Sequence, residues 1–274
     1  MNAFKLSEAL PGAAGEFVKV LEPVPQVCLL VLHRPETMNS WHGPMRQEMA
    51  TAVHQLAHSD VRAVVICGNE KAFSAGEDVR GMDDLANVST KRFRSIAREF
   101  HDVFDAIEAL EIPVIAAVEG VAAGGGMELA LSCDFRVAGR KARFALPESN
   151  VGLIPGSGGC SRLVRLVGLA RAKQILMLEG VMSAERADSL GLLTCLVDTG
   201  GALDEALAIA QALAAKSPLA IGMAKMILNT CAEVDLETGR RLERLGQSVL
   251  KKTQDHREGV AAFLEKRKPN WTEN

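Results

Sequence analysis

The feature that most constrains the fold is an order of segments that occurs twice: a buried strand, a glycine turn and a helix. The first copy has an apolar β-branched run at residues 61–68 and the turn AFSAGEDV at 72–79. The second has the strand letters PVIAAV at 113–118, then three glycines at 124–126 and the helical letters MELALSC. Strands that alternate with helices form sheets with right-handed crossovers. The order therefore predicts an α/β fold with a glycine turn at the end of each strand.

The remaining segments divide the chain into three parts. Residues 17–33 contain two β-like runs around a proline-marked turn, and apolar residues at helical spacing predict helices near 43–58 and 90–110. From Ser161 onward the pattern is almost wholly helical. We therefore expect a flexible N-terminal arm over 1–16, a core with the active site over 17–200, and a helical region for oligomerisation and active-site cover over 201–274.

Composition argues against several classes of partner. The 274 residues carry a formal charge of -3, which gives no electrostatic reason to expect nucleic acid. No uninterrupted apolar stretch reaches the roughly 18 residues that span a bilayer, and the N-terminal residues lack the basic start and apolar run of a secretory signal. The six cysteines form no CxxC pair, so a zinc site is not expected. We expect a cytoplasmic protein without a metal ion, a membrane or a nucleic acid as partner.

Each glycine turn offers backbone N–H groups that have no acceptor inside the following helix and that lie at the positive end of its dipole. The first turn presents the amides around Gly76, and the second presents those of glycines 124–126. If parallel strands place the turns side by side, two amides can converge on one carbonyl oxygen and stabilise negative charge on it. The alternative is that the glycines only relieve crowding at strand–helix corners. Neither nucleotide fingerprint, GxGxxG or GxxxxGK[ST], is present at these turns.

Two glutamates follow these segments. Glu128 stands in the first turn of the helix after the triple glycine, among small and apolar neighbours, and Glu148 follows Pro147 at the end of an apolar strand. The ordinary interpretation is a helix-start acid that complements the dipole, and a surface loop acid. Two acids in one apolar pocket would instead have pKa values pushed apart, so that one accepts a proton while the other delivers one. The two residues alone leave both interpretations open.

Five segments, taken in order, resemble the crotonase (enoyl-CoA hydratase/isomerase) superfamily. They are HRPETMNSW, AFSAGEDV, AAVEGVAAGGGMELALSCDFRVA, FALPESNVGLIPGSGGCSRL and REGVAAFLEKRKPNW, and the resemblance extends from about Val18 to Trp271. It implies a crotonase-like spiral of repeated ββα units followed by an all-helical C-terminal trimerisation region. It also implies an acyl-CoA thioester as substrate, no cofactor beyond the coenzyme A of that substrate, and a homo-oligomer that is a trimer or a dimer of trimers.

The resemblance implies a role for particular residues. The oxyanion amides would belong to Glu77 and Gly125, and the catalytic acids would be Glu128 and Glu148. Members that hydrate 2-enoyl-CoA carry glutamate at both acid positions, so the resemblance implies syn addition of water, giving 3-hydroxyacyl-CoA as in fatty acid β-oxidation. Glu148 is the expected proton donor to C2, and Glu128 is expected to position and activate the water. The implied substrate-binding residues are Met38, Ala75, Gly76, Asp78, Val79, Arg80, Gly124, Pro147 and Gly156.

One position departs from the family pattern, and several alternatives stay open. The residue that gives the first oxyanion amide is often small in hydratases, whereas here it is Glu77, whose side chain we expect to point toward solvent. The alternatives are an isomerase or another acyl-CoA lyase on the same fold, a non-catalytic acyl-CoA-binding or RNA-binding member, and a helical assembly protein. The absence of tyrosine disfavours variants that use a tyrosine hydroxyl. Arg162 and Arg165 are expected to decorate a helix face, and Asp134 to be a structural cap or turn acid.

Overall fold

A computed structural model describes residues 5–6, 15–78, 80 and 87–274 of the chain. Its strands, in chain order, are β1 (Lys5–Leu6), β2 (Val18–Val24), β3 (Val27–Leu32), β4 (Ala63–Cys67), β5 (Ala72–Ser74), β6 (Val114–Val118), β7 (Val121–Ala123), β8 (Phe135–Gly139), β9 (Arg143–Ala145), β10 (Val181–Ser183) and β11 (Cys195–Val197). They form a seven-stranded sheet in the order β1-β2-β3-β4-β6-β8-β11 and a four-stranded sheet in the order β10-β9-β7-β5.

Helices connect the strands and make up most of the C-terminal third. They are α1 (Gly43–Leu56), α2 (Thr90–Ala109), α3 (Gly125–Ser132), α4 (Gly159–Val167), α5 (Leu169–Gln174), α6 (Ala184–Ser189), α7 (Ala202–Ala214), α8 (Pro218–Cys231), α9 (Leu236–Leu250) and α10 (Gln254–Glu265). Among the described residues no single helix is long and apolar enough to cross a membrane, although α7 and α8 pass that test together as a pair bent by 109°. The mixed α/β core with helices at the C-terminal end confirms the predicted architecture, and the domain bounds stay predictions.

The large sheet forms the core because both of its faces are covered. Strand β3 alternates between them: Cys28, Leu30 and Leu32 join the cluster that contains α1, and the residues between them join the cluster that contains α7. A parallel sheet buried on both faces reads as a continuous apolar run, which is the pattern of β3, β4 and β6. Helix α7 presents Ala202, Ala206 and Ala210 to the sheet. These small side chains let the helix axis approach the strands closely.

The small sheet brings three strand ends to one edge. Strands β5, β7 and β9 are parallel neighbours, so their carboxyl ends point the same way. The chain leaves β5 toward Gly76, β7 toward Gly124 and β9 toward Glu148. Each of these strands has only three residues. Gly76 and Glu148, which are more than seventy positions apart in the sequence, therefore lie at the same edge of the small sheet.

Two sequence expectations need correction. The region after Ser161 is not almost wholly helical, because it contains β10, which pairs with β9, and β11, which pairs with β8. Each has only three residues, and a run that short cannot be told from helix by its periodicity. The strands also divide into two sheets, a division that the strand–helix alternation does not predict. Val79, the helix expected to follow it and most of the arm predicted over 1–16 lie outside the described residues.

Enlarging a side chain between α7 and the sheet tests this packing. Ala206 is fully buried, so we expect Ala206→Leu to lower the free energy of unfolding by about 1–3 kcal/mol through overpacking. The exposed Ala212 on the same helix is a matched control, and Ala212→Leu should change that free energy by less than about 0.5 kcal/mol. Urea unfolding followed by circular dichroism measures both. Equal effects of the two variants would contradict the packing of α7 against the sheet.

Candidate active site

The two glycine turns lie in contact. Gly76 has a φ of 89°, in the left-handed region that favours glycine. A Cβ at Gly76 would lie 2.7 Å from the carbonyl oxygen of Ala123 and 3.1 Å from the backbone nitrogen of Gly125. The absence of a side chain at this position is what allows the turn after β5 to rest against the turn after β7.

Trp41 orients the first turn through its backbone. Its N–H donates to the carbonyl oxygen of Gly76 at 2.7 Å, and the N–H of Asp78 donates to the carbonyl oxygen of Trp41 at 2.9 Å. In such a parallel bridge the intervening residue, Glu77, turns its own N–H away from Trp41. Within the described ranges the Glu77 N–H has no acceptor, and Gly125, as the first residue of α3, has no acceptor inside its helix. Two free donors therefore lie at adjoining turns.

A buried asparagine fastens the preceding loop to β5. The Asn39 side chain is fully buried and donates from Nδ2 to the carbonyl oxygen of Ala72 at 2.9 Å. In return, Ser74 Oγ donates to the carbonyl oxygen of Asn39 at 2.8 Å, and the Ala75 N–H donates to the carbonyl oxygen of Met38 at 2.9 Å. These bonds explain physically why the HRPETMNSW segment accompanies the first glycine turn.

The Glu77 side chain does not point toward solvent, contrary to expectation. Its carboxylate pairs with Arg46 of α1 at 3.0 Å, and burial raises the pKa of Glu77 while Arg46 opposes that shift. The neighbouring Asp78 pairs with Arg34 at 2.8 Å and with Arg80 at 2.7 Å. The hydrogen bond from Arg80, followed by that from Arg34, holds the pKa of Asp78 well below its usual range. The carboxylates of Glu77 and Asp78 are thus each paired with arginine. This pairing offsets their negative charge beside the Glu77 N–H, so the turn does not repel a developing oxyanion.

Glu128 projects from the first turn of α3 and is only 3% exposed. Its Oε1 accepts hydrogen bonds from the backbone N–H of Ser157 at 2.6 Å and of Gly159 at 2.9 Å. Burial raises the pKa of Glu128, and these two hydrogen bonds act in the opposite direction. A Cβ at Gly126 would lie 2.1 Å from the carbonyl oxygen of Ser74, so glycine there lets α3 sit directly on β5.

Glu148 begins the short 3-10 turn that follows β9 and Pro147. Its Oε1 lies 3.0 Å from where a Cβ of Gly124 would stand, so the carboxylate rests against the second glycine turn. Its Oε2 is buried and accepts no hydrogen bond from any residue in the described parts of the chain. Burial raises the pKa of Glu148, and the charge of Glu128 raises it further. The Glu148 carboxylate therefore lies against the glycine turn that opens the helix bearing Glu128.

Comparisons with known proteins decide the family. The model of the family "Enoyl-CoA hydratase/isomerase" matches residues 24–274. The chain belongs to this family. The family's crotonyl-CoA hydratase from Syntrophomonas wolfei is 37% identical over 254 residues, 92% of this chain and 96% of the relative. The short-chain-enoyl-CoA hydratase of Clostridium acetobutylicum is 34% identical over 251 residues, 91% of this chain and 95% of the relative.

A solved structure confirms the fold. The enoyl-CoA hydratase from Bacillus anthracis superposes with a TM-score of 0.89 at 33% sequence identity, covering 94% of this chain and 100% of the other. The crotonase resemblance and the crotonase-like fold that it implied are thereby confirmed. The family assignment makes the chain an enzyme. The alternative of a helical assembly protein does not account for the two glycine turns.

The other residues that the resemblance assigns to substrate binding lie in the turns or in the segments next to them. Ala75, Gly124 and Pro147 belong to the turns themselves, and the side chain of Met38 is 49% exposed beside them. Gly156 is exposed in the loop that precedes α4. Val79 is outside the described residues. The substrate-binding roles of these residues stay predictions, because contacts within the chain show where a residue lies and not what it binds.

Three side chains that the sequence analysis expected to be structural have partners within the chain. Asp134 accepts the Val114 N–H at 2.7 Å and pairs with the buried Lys225 at 2.8 Å. Arg162 is 5% exposed, so it does not decorate a helix face as expected, whereas Arg165 is half-exposed. No cluster of three or more His, Cys, Asp or Glu side chains within the described ranges could hold a metal ion.

The coupling between the two acids can be measured without substrate. In a carbon-13 NMR titration we expect the Glu148 carboxylate to titrate above its ordinary value of 4.5 because burial and the Glu128 charge both favour the protonated form. Glu128→Gln removes that charge, so the pKa of Glu148 should fall toward its ordinary value. Glu258, whose pKa Arg267 lowers to about 2, serves as an internal reference that the variant leaves in place. An unchanged Glu148 titration in Glu128→Gln would show that the acids do not share a pocket.

Proposed function

We propose that the protein is an enoyl-CoA hydratase, a hydro-lyase that adds water to the 2,3 double bond of a 2-trans-enoyl-CoA and gives a 3-hydroxyacyl-CoA. One arrangement carries the proposal: the buried Glu128 and the half-buried Glu148 lie beside a pair of free backbone amides at adjoining glycine turns. The hydratases among the relatives support the same reaction. Crotonyl-CoA is the first substrate to test, because one relative is named for it and another for short-chain enoyl-CoA.

The amides of Glu77 and Gly125 supply the electrophilic part of the reaction. The thioester oxygen accepts a hydrogen bond from each N–H, and the first turn of α3 adds the positive end of its dipole. Electron density then moves from the C2–C3 double bond toward the carbonyl, which makes C3 open to attack. Because the donors belong to the backbone, their positions are fixed before substrate arrives.

The two glutamates handle the water and the protons. Glu128 is held by two amides at Oε1, which favours its ionised form and leaves its other oxygen to accept a proton from water. The hydroxyl oxygen bonds to C3 as Glu148, with its raised pKa, delivers a proton to C2. The next water carries the proton from Glu128 to Glu148 and restores both acids. The net change is one water added to one double bond.

The main alternative on this fold is a double-bond isomerase. An isomerase moves a proton between C2 and C4, so a single carboxylate suffices for its chemistry. Here a second carboxylate is buried beside the first and is held by two amide hydrogen bonds. That arrangement serves a positioned water molecule, and it favours hydration over isomerisation. Turnover of a 3-enoyl-CoA with no loss of crotonyl-CoA would favour the isomerase.

The assembly is proposed on separate grounds. The C-terminal helix α10 leaves Phe263 83% exposed and Leu264 73% exposed, and Leu178 is 81% exposed after α5. Phe263 and Leu264 line one groove with Val260 and Trp271, and contiguous apolar surface of this kind is commonly covered by another chain. They support a homo-oligomer, which the sequence resemblance gives as a trimer or a dimer of trimers. The cytoplasmic location, the involvement in β-oxidation and the lack of cofactor remain proposals from the sequence.

Glu148→Gln tests the proton donor. We expect kcat for crotonyl-CoA to fall by about 10²–10⁴, because a positioned acid or base contributes roughly that factor. Burial raises the folded-state pKa of Glu148, so its ionisation costs the folded state more than the unfolded state and lowers stability as pH rises through that pKa. The neutral glutamine should therefore leave thermal stability at neutral pH unchanged or higher. The exposed Glu185 gives the matched control Glu185→Gln.

Loss of the conjugated thioester absorbance measures turnover in both variants, and calorimetry measures their stability. Turnover at the wild-type rate in Glu148→Gln would remove Glu148 from the reaction. A loss of the same size in Glu185→Gln would show that the assay responds to charge and not to the site.

A methyl group at the first turn tests the oxyanion amide. A Cβ at Gly76 would meet the Ala123 carbonyl oxygen at 2.7 Å and would push the Glu77 amide away from Gly125. We expect Gly76→Ala to lower kcat by roughly 10²–10³, the usual effect of losing one such donor. Gly191 has a comparable φ of 75° but nothing within 4 Å of its Cβ position. Gly191→Ala therefore carries the backbone strain alone, and kcat in that variant should stay at the wild-type value.

A further inference from the structure

Arg162 is a buried cation that the proposed reaction does not yet use. It lies on α4, and its guanidinium reaches across to α2, where Nη2 pairs with Asp105 at 2.5 Å and with Glu108 at 2.7 Å. Nε donates a further hydrogen bond to Glu108 at 2.9 Å. The two acids are 65% and 38% exposed, whereas the arginine side chain is 6% exposed. Arg162 therefore ties the buried side of α4 to α2.

The same guanidinium contacts the loop that holds Glu128. Nη1 of Arg162 donates to the carbonyl oxygen of Ser157 at 2.9 Å, and the N–H of Ser157 donates to Glu128 Oε1 at 2.6 Å. A Cβ at Gly158 would lie 2.0 Å from Nη1, so the guanidinium packs directly against the loop backbone. Gly159, the next residue, donates the second hydrogen bond to Glu128. One residue thus separates Arg162 from the carboxylate that activates water.

We propose that Arg162 is a positioning residue of the hydration reaction, which holds residues 157–159 against α2 so that their amides fix the Glu128 carboxylate. The inference rests on the proposed function. A carboxylate buried as deeply as Glu128 could rotate or take up a proton unless donors held it. Those donors are main-chain groups of the loop before α4 and of the first residue of α4, and Arg162 ties this loop to α2. The guanidinium suits this task because its planar fork makes several hydrogen bonds in fixed directions.

The proposal predicts a change in the pH dependence as well as in rate. The charges of His101 and Arg162 lower the pKa of Glu128, and Glu148 and Cys160 are the ionisable groups on which the charge of Glu128 acts. Loss of Arg162 removes a positive charge and loosens both amide hydrogen bonds, and each change favours protonated Glu128. Ionised Glu128 is the form that accepts a proton from water. The acidic limb of kcat against pH should therefore move to higher pH.

Arg162→Gln, with Arg165→Gln as its matched control, tests the inference. Arg165 lies one helical turn further on α4, is about half exposed and pairs with Glu233. We expect Arg162→Gln to lower kcat for crotonyl-CoA about 10²-fold, since small misplacements of a catalytic group have effects of that size. KM and the dissociation constant of butyryl-CoA, which lacks the double bond, should stay near the wild-type values. Arg165→Gln should match the wild type in rate and pH profile.

A conservative variant separates positioning from folding. Arg162→Lys keeps the charge but loses the fork, so its kcat and its acidic limb should lie between those of the wild type and Arg162→Gln. If Arg162→Gln does not fold, Arg162→Lys decides, with a reduced kcat and a raised acidic limb supporting the inference. Wild-type kcat and an unshifted limb in the variant that folds would overturn it. A loss of kcat accompanied by equal losses of butyryl-CoA affinity and thermal stability, with no shift of the limb, would also overturn it.

The two proposals fail in different ways. Wild-type protein that leaves crotonyl-CoA and other 2-enoyl-CoA thioesters unchanged would overturn the proposed function. The contact between Arg162 and the Glu128 loop is then judged by a carbon-13 NMR titration of Glu128 in the variant that folds, Arg162→Gln or Arg162→Lys. A higher Glu128 pKa in that variant than in the wild type supports the positioning role, and an unchanged pKa overturns it.

Discussion

The site depends on the close approach of two backbone turns at one edge of a very short sheet. Parallel pairing of β5 with β7 aligns the turns, and the missing side chain at Gly76 removes the atoms that would collide with Ala123 and Gly125. Only main-chain geometry can place two N–H donors this closely without the conformational freedom of side chains. Strand β9 pairs with the other side of β7, so Glu148, which follows β9, lies at the same edge as the two turns.

Burying two carboxylates in one place works against folding, since each loses water and each repels the other. For Glu128 the backbone amides of Ser157 and Gly159 replace part of the lost hydration. For Glu148 no described residue replaces the lost hydration at Oε2. The folded state bears this cost because the large sheet, covered by α1 and α7, buries apolar side chains on both of its faces.

Periodicity and turn letters were enough to predict the helices α1 and α2, the buried strands and the place of each glycine turn. The family resemblance supplied the substrate class and the pairing of Glu128 with Glu148, which no spacing rule gives. The burial of Arg162 and the Arg46–Glu77 pair were missed because their partners are 31 to 57 positions away in sequence. Pairings of this kind arise from the crossing of helices over strands, and local pattern contains no trace of them.

The different surroundings of the two acids explain how Glu148 can donate a proton while Glu128 accepts one. The two backbone hydrogen bonds to Glu128 oppose the rise that burial causes in its pKa, and they fix its orientation, which suits Glu128 to receive a proton from water. A carboxylate with a buried, unpartnered oxygen is biased toward its protonated form, which suits Glu148 to give one. A backbone donor to Glu148 Oε2 would stabilise its anion and oppose that bias. The lack of such a donor among the described residues therefore suits Glu148 to its role as proton donor. The loop bearing Ser157 gives Glu128 hydrogen bonds that Glu148 lacks, and this difference separates the roles of the two acids.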